Sequence, residues 1–253
     1  MPLLERQGVT IAYEVHGSAG LTPVLLSHGY SASSAMWDPN IAALSADRQV
    51  VTWDMRGHGH SASPADPSAY SATASVADMA AVLDACGMAR AVVGGLSLGG
   101  YLSLAFHRAH PERVAALLLF DTGPGYQRPE ARERWNSWVE TTAVAFEETG
   151  LGALADSPEV GVGPHDPVGL ALAARGILTQ HTADVIDSLP SVTVPTLVLV
   201  GAEDRLFLGA ADYMAARIPG AVKTVVARCG HAPNIDDPSA FNDAVTAFLR
   251  SSP

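Results

Sequence analysis

The sequence predicts an α/β fold in which a mostly parallel sheet carries helices on both faces. Short apolar, strand-like runs alternate with amphipathic, helix-like runs along most of the 253 residues, and several strand-like runs stop at a glycine-containing turn. With 48% hydrophobic residues, the chain contains enough apolar side chains for one complete core. We therefore expect one α/β domain that carries an insertion.

The individual elements follow one another in a regular order. Residues 3–7 and 9–15 alternate apolar and polar side chains around a glycine, which is typical of an antiparallel hairpin. Later strand-like runs occupy residues 22–27, 49–53, 91–93, 114–120, 194–200 and 222–227. The helix-like runs between or after them include residues 71–86, 101–106 and 239–249. This alternation indicates a parallel sheet after the opening hairpin.

Between residues 123 and 190 the alternation stops. Helix-like pieces at 130–148 and 168–180 flank a glycine-rich stretch at 151–163, and no strand-like run interrupts them. We interpret residues 123–190 as a helical insertion and assign residues 1–122 and 191–253 to the core that contains the sheet.

The motif G-L-S-L-G at residues 95–99 follows an apolar strand-like run and precedes an apolar helix-like run. Small residues on both sides of Ser97 allow strand and helix to approach closely, so that the serine lies exposed in a strained turn. The Leu98 N–H, at the helix start, would face negative charge that develops on a substrate oxygen. One alternative is a glycine-rich turn with a surface serine, which the flanking strand and helix disfavour. The other is a nucleotide-binding turn, which is disfavoured because the segment contains neither G-x-G-x-x-G nor G-K-[ST].

A serine nucleophile needs a base, and the base needs an acid that holds its tautomer. His231 is the histidine that follows a late strand-like run. An acid is expected where another strand ends, which indicates Asp204 or Asp121, with Glu203 as a further alternative.

Five motifs resemble those of the α/β-hydrolase superfamily, in the same chain order and over nearly the whole chain. They are H-G-Y at 28–30, D-M-R-G-H-G-H-S at 54–61, G-L-S-L-G at 95–99, G-A-E-D at 201–204 and G-H at 230–231. The resemblance implies an α/β-hydrolase fold with a helical cap inserted after the sixth strand. It also implies a catalytic triad and an oxyanion hole of two backbone N–H groups. The triad would be Ser97, Asp204 and His231, and the two N–H groups those of Tyr30 and Leu98.

Two residues narrow the reaction that this resemblance implies. Ser97 stands where similar dehalogenases and epoxide hydrolases carry aspartate, and Ala232 stands where similar carbon–carbon bond hydrolases usually carry tryptophan. Of the reactions that this resemblance implies, acyl transfer to water is the one these residues favour. The motifs look most like those of small esterases and enol-lactonases. The alternatives are a thioesterase, a cofactor-free perhydrolase, a carbon–carbon bond hydrolase, or a non-catalytic ligand receptor on the same scaffold.

Charge and composition argue against several other classes. A formal net charge of −11 without a basic cluster disfavours nucleic acid and anionic membranes as partners. The sequence has neither a secretory leader pattern nor an apolar run of about 18 residues, so we expect a cytoplasmic protein in which Cys86 and Cys229 are reduced. His58 and His60 alternate in a glycine-rich loop without a carboxylate or thiol partner, so they are expected to shape the loop. We expect no metal and no cofactor.

Aromatic residues provide the candidate walls of a substrate pocket, although packing against the sheet is the alternative for each of them. The insertion is also rich in glutamate and has few basic residues, so an anionic acyl group would be repelled. We therefore expect a small to medium, uncharged and mainly apolar ester or lactone. If the substrate were anionic, Arg175 or Arg205 would be expected to reach the pocket. The candidate walls are Trp37, Tyr126, Trp135, Trp138, Phe146 and Phe207.

Overall fold

A computed structural model of the chain describes residues 1–154 and 164–251. An eight-stranded sheet with the strand order β1-β2-β4-β3-β5-β6-β7-β8 forms its centre. The β1–β2 and β2–β4 pairs are antiparallel and all other pairs are parallel, which confirms the predicted hairpin and the mostly parallel sheet. The strands are β1 Leu3–Arg6, β2 Val9–His16, β3 Leu21–Ser27, β4 Arg48–Trp53, β5 Ala91–Leu96, β6 Val114–Phe120, β7 Thr196–Gly201 and β8 Val222–Val226.

Helices cover both faces of this sheet. Ser71 is the N-cap of the helix Ala72–Ala85, because its hydroxyl accepts a hydrogen bond from the Ala74 N–H at 3.0 Å. The α-helices are α1 Asp38–Leu44, α2 Ala72–Ala85, α3 Leu98–Ala109, α4 Pro129–Thr149, α5 Pro167–Ala173, α6 Asp184–Ser188, α7 Leu208–Arg217, α8 Pro233–Asp236 and α9 Pro238–Ser251.

The central strands separate two apolar cores. Every residue of β5, β6 and β7 is buried, as expected for strands that are covered on both faces. Leu117 and Leu119 of β6 belong to the core that includes buried residues of α2, α3 and α7. Leu118 and Phe120 belong to the opposite core, with buried residues of α1 and α9. This alternation follows from the two-residue period of a strand.

The described residues between β6 and β7 contain helices and no strand. The predicted helix at 130–148 corresponds to α4, but the predicted helix at 168–180 is only partly regular. It consists of α5 and a wider π-helical turn at Ala174–Leu178. A Cβ on Gly176 would lie 2.4 Å from the Tyr70 carbonyl oxygen, so this turn is in close contact with the core. Residues 155–163 of the predicted glycine-rich stretch lie outside the described residues.

Two further features concern membrane-spanning helices and the state of the cysteines. Within residues 1–154 and 164–251, no helix has both the length and the apolar character needed to cross a bilayer. Cys86 and Cys229 are both free thiols.

Candidate active site

Ser97 occupies the tight turn between β5 and α3. Its φ of 54° and ψ of −115° lie in a region that residues other than glycine rarely adopt. The Ser97 N–H donates to the Phe120 carbonyl oxygen at 2.9 Å, which ties the turn to β6. A Cβ on Gly95 or on Gly99 would lie 2.4 or 2.3 Å from the Ser27 carbonyl oxygen. Only glycine at these positions permits the close packing that holds Ser97 in its strained conformation.

Thr122, which the sequence analysis did not identify, also fixes this turn. Its hydroxyl donates to the Ser97 carbonyl oxygen at 2.6 Å. A Cβ on Gly100 would lie 2.5 Å from the Thr122 side chain, so glycine is needed there for this contact. The role of Thr122 depends on the β5–β6 pairing, which no local sequence pattern reveals.

His231 and Asp204 form a direct pair, in which His231 Nδ1 lies 2.7 Å from Asp204 Oδ2. Asp204 Oδ1 also accepts a hydrogen bond from the Phe207 N–H at 3.3 Å. Burial by itself raises the pKa of Asp204, but the hydrogen bonds and the charge of His231 outweigh burial and lower it. An ionised Asp204 retains a proton on Nδ1, so that Nε2 of the neutral ring is the free acceptor. The Glu203 side chain is exposed to solvent.

Asp121, the other candidate acid, has a different partner. Its Oδ1 accepts a hydrogen bond from the Gly201 N–H at 2.8 Å. Burial raises the pKa of Asp121 to about 9, with the negative charges of Asp204 and Asp236 adding to this effect and the Gly201 N–H opposing it. At neutral pH the carboxyl group is therefore protonated, which favours the ionised form of Asp204.

These residues form the one group of three potential metal ligands within the described part of the chain. Ligand atoms of Asp121, Asp204 and His231 lie within 4.8 Å of one another. Metal ligands at about 2.0–2.2 Å from a zinc ion stand more than about 3 Å apart in tetrahedral geometry. The 2.7 Å contact between His231 and Asp204 is therefore a hydrogen bond, not a pair of ligands around an ion.

His28 shapes the loop that covers Ser97. Its Nδ1 donates to the Gly29 carbonyl oxygen at 2.7 Å, and its Nε2 accepts from the Met55 N–H at 2.9 Å. These contacts define the neutral tautomer, and burial lowers the pKa of His28. A Cβ on Gly29 would lie 3.7 Å from the Ser97 Cβ, so the loop passes close to the serine.

The two predicted oxyanion donors lie in the two segments that meet near Ser97. Tyr30 follows Gly29 in the loop, and Leu98 is the first residue of α3. A first-turn N–H has no partner within its own helix, so the Leu98 N–H is oriented for an external acceptor. Both donors remain predictions.

The Tyr30 side chain links this loop to the helices between β6 and β7. Its hydroxyl donates to the Leu170 carbonyl oxygen at 2.8 Å. Its ring meets the rings of His58 and Phe146 edge-on, at centroid distances of 5.6 and 6.1 Å. Burial raises the pKa of Tyr30, so the phenol stays protonated. Tyr30 therefore fixes the position of the loop beside Ser97.

The glycine-rich loop at 54–61 is organised by a carboxylate. Asp54 accepts hydrogen bonds from the Ser34 and His60 N–H groups, at 2.7 and 2.8 Å. Gly59 has a φ of 52°, and a Cβ there would lie 2.2 Å from the Asp54 carboxylate. His58 is buried, and its Nδ1 contacts the Arg56 carbonyl oxygen at 3.0 Å. These contacts accord with the predicted role of both histidines in shaping the loop.

A cavity of about 410 Å³ opens at Ser97. Three of the six predicted wall residues line it, namely Tyr126, Trp135 and Phe207. The Phe207 ring also stacks on the His231 ring, with centroids 5.1 Å apart and planes inclined by 22°. Phe207 thus connects the cavity with the His231–Asp204 pair.

The other three predicted wall residues do not line this cavity. Trp37 is fully buried in the core beside α9, where its ring contacts Phe120 and Phe241. Phe146 is buried against Tyr30, and Trp138 is half exposed and contacts the Trp135 ring at a tilted angle. Trp37 and Phe146 are therefore packing residues, and contacts between distant segments determine this.

The basic residue that lines the cavity is one that the sequence analysis missed. Arg128 lies in the loop before α4 and is exposed. Arg175 instead pairs with Glu140 and Glu147, and Arg205 is exposed and does not line the cavity. Arg128 therefore places a positive charge at the cavity without a carboxylate partner among the described residues.

Comparisons with known proteins agree with this fold. Residues 24–244 match the model of a family described as "Alpha/beta hydrolase family". The chain is 31% identical to "Putative carbamate hydrolase RutD" from Caulobacter segnis, over 96% of this chain and 97% of the relative. It is 27% identical to 3-oxoadipate enol-lactonase 2 from Acinetobacter baylyi, over 98% and 96%. The enol-lactonase from Burkholderia xenovorans LB400 superimposes with a TM-score of 0.84 at 27% identity, over 98% of this chain and 100% of that one. The chain therefore belongs to the α/β-hydrolase family, as its five motifs predict.

Proposed function

We propose that this hydrolase cleaves a carboxylic ester or lactone through an acyl-enzyme on Ser97. The position of Phe207 is the observation that carries the proposal. Its ring lines the cavity that opens at Ser97 and stacks on His231, which is paired with Asp204. The chain order nucleophile, acid, base, here Ser97, Asp204 and His231, is typical of an α/β-hydrolase triad.

In the first half-reaction, Ser97 Oγ attacks the carbonyl carbon and its proton moves to His231 Nε2. Asp204 retains the proton on Nδ1 and stabilises the positive ring. The Tyr30 and Leu98 N–H groups donate to the oxyanion. When the intermediate collapses, the alcohol oxygen leaves with the proton from His231, and the acyl group remains on Ser97.

Water completes the cycle. His231 takes a proton from the water, whose oxygen attacks the acyl carbon, and then returns that proton to Ser97 Oγ as the ester bond breaks. The carboxylic acid is released and the free serine is restored. No step requires a cofactor or a metal ion.

The cavity walls support a neutral, mainly apolar substrate of small to medium size. The described residues between 123 and 190 contribute much of the lining, including Tyr126, Trp135 and Ile186. We propose that they form a helical cap. A mostly apolar cavity of a few hundred Å³ suits such a ligand, with a few polar groups to orient it.

A carbamate is the second candidate, because the relative from Caulobacter segnis carries the name of a carbamate hydrolase. The same triad would attack the carbamate carbonyl carbon. The nitrogen lone pair makes that carbon less electrophilic than the carbon of an ester. A p-nitrophenyl ester and a p-nitrophenyl carbamate of matched size share one leaving group, so their kcat/KM values compare the two substrates directly.

Turnover of the short p-nitrophenyl ester also tests the proposal itself. We expect hydrolysis by the wild-type protein and, because no other nucleophile replaces the serine, loss of about a thousandfold or more in Ser97→Ala. Equal turnover by Ser97→Ala would contradict the proposal. No turnover by either protein, together with thermal stabilisation by the ester, would instead indicate a ligand receptor.

A further inference from the structure

Gln180 lies on the cavity wall, and two hydrogen bonds fix its backbone. The Gln180 N–H donates to Asn136 Oδ1 at 2.8 Å, and Asn136 Nδ2 donates to the Gln180 carbonyl oxygen at 2.9 Å. Asn136 belongs to α4, so this pair attaches the chain after α5 to a long helix. The Gln180 side chain makes neither of these two hydrogen bonds, and the residue lines the cavity.

The Gln180 amide oxygen has no hydrogen-bond donor among the described residues. The residue is only 9% exposed, and Oε1 is fully buried. Buried polar atoms in native proteins almost always have a partner, because an unpaired acceptor loses its water without compensation. An unpaired oxygen on the wall of a substrate cavity is therefore suited to a donor that the ligand brings.

Only glycine at position 125 leaves room for this oxygen beside the backbone. Gly125 has a φ of 89°, and a Cβ there would lie 2.8 Å from Gln180 Oε1 and 3.5 Å from the Tyr101 ring. A side chain at this position would collide with the amide. Tyr101 is one helical turn beyond Ser97, and its N–H donates to the Ser97 carbonyl oxygen at 3.1 Å. The amide thus lies on the part of the wall that continues from the nucleophile.

We propose that Gln180 Oε1 accepts a hydrogen bond from a neutral N–H or O–H group of the substrate. The preferred substrates are therefore esters or lactones that also carry an amide N–H or a hydroxyl. This inference rests on the proposed function and narrows its substrate class. An ammonium donor fits poorly, since the described cavity lining includes Arg128 and no acidic side chain.

Matched substrate pairs test the inference on the wild-type protein. Each pair consists of a p-nitrophenyl ester with a secondary amide N–H or a hydroxyl, and its N-methyl or O-methyl counterpart. The series places the donor at increasing distances from the scissile carbonyl. For the best-placed donor we expect kcat/KM to exceed that of the methylated partner about 10- to 100-fold, because methylation leaves Oε1 without a donor.

The Gln180→Leu variant removes the acceptor and keeps a side chain of similar length. We expect the ratio of kcat/KM between the donor-bearing ester and its methylated partner to fall to within about threefold, because neither ester then meets an acceptor at this position. Its Tm should equal or exceed that of wild type, since an unpaired buried acceptor is replaced by an apolar group. Gln127→Leu is the matched control for this preference, because Gln127 also lines the cavity but its amide already donates to Asp187 at 2.8 Å. It should keep the wild-type preference.

Three results would overturn the inference while leaving the proposed function intact. They are equal rates within every pair, a preference that survives in Gln180→Leu, or a Tm several degrees lower in that variant, which would indicate a structural partner for the amide. Failure of the proposed function has a different signature, namely no Ser97-dependent turnover of any ester, methylated or not.

Discussion

The Phe207 ring lies stacked on the His231 ring, with centroids 5.1 Å apart and planes inclined by 22°. The same residue lines the cavity, and its N–H donates to Asp204 Oδ1. One side chain and its backbone therefore contact the substrate space, the base and the acid. Stacking of this kind restricts the rotation of the imidazole, and so fixes the direction of Nε2.

Phe207→Leu should lower kcat more than it raises KM. The smaller side chain keeps the cavity apolar but removes the flat surface against His231, so the base is less well oriented in the transition state. We expect kcat for a short p-nitrophenyl ester to fall about 10-fold, measured by steady-state kinetics. Leu206→Ala, on the same loop and largely exposed, is the control and should change kcat less than about threefold. Equal effects of the two variants would contradict a specific role of the stacked ring.

Asp204→Asn and Asp121→Asn should differ sharply, although both replace a carboxylate by an amide of the same shape. Asp204 contacts His231 directly, so the amide should favour the wrong tautomer and reduce kcat about a thousandfold or more. Asp121 is protonated at neutral pH and contacts the Gly201 N–H, and an amide reproduces both its acceptor and its donor. We expect its kcat to change less than about 10-fold. A larger loss in Asp121→Asn than in Asp204→Asn would reassign the acid.

Asp121→Asn should also change how stability depends on pH. The pKa of Asp121 is about 9 in the folded protein, against about 4 for an ordinary aspartate in an unfolded chain. Between these values the folded state holds a proton that the unfolded state has lost. The stabilisation from that proton is complete below about pH 4 and is lost as the pH rises towards 9.

The asparagine side chain does not titrate, so the stability of the variant relative to wild type should increase as the pH rises. We expect its Tm relative to wild type to increase between about pH 5 and about pH 8. The increase should be roughly 2–4 °C for each 1 kcal/mol by which its relative free energy of unfolding rises. Differential scanning calorimetry across this range measures the effect. A Tm difference that stays constant with pH would show that Asp121 does not bind the additional proton.

Arg128 provides the test of substrate charge. We expect wild type to prefer neutral esters over matched carboxylate-bearing esters, because the cavity is mainly apolar and Arg128 is exposed to solvent. Arg128→Ala should change kcat/KM for the neutral esters less than about threefold. If wild type prefers the carboxylate esters, and if Arg128→Ala or added salt removes that preference, the neutral-substrate proposal is wrong.

Local sequence patterns predicted those parts of the molecule that depend on local chemistry. The strand β6 is a continuous apolar run, and the turn at Ser97 carries the glycines that its geometry requires, so both were visible in the sequence. The five-residue helix α6 was missed, because so short a segment shows no helical period.

Positions that depend on contacts between distant segments were not predictable in the same way. Trp37 and Phe207 are both aromatic residues at helix starts, yet one contacts Phe241 in the core and the other lines the cavity. The hydroxyl of Thr122 and the amide of Gln180 are polar groups with no motif around them. Their importance appears only when β6 is placed beside β5 and the helices after β6 are placed over the sheet.

The most direct measurement of the central claim is the site of covalent labelling by a fluorophosphonate. The reagent phosphonylates a serine only when a neighbouring base accepts its proton and N–H donors stabilise the oxyanion. Mass spectrometry of the digested protein should locate the adduct on Ser97, with labelling strongly reduced in His231→Ala and absent from that peptide in Ser97→Ala. An adduct on another residue, or equal labelling of Ser97 in His231→Ala, would contradict the account of Ser97 as the nucleophile.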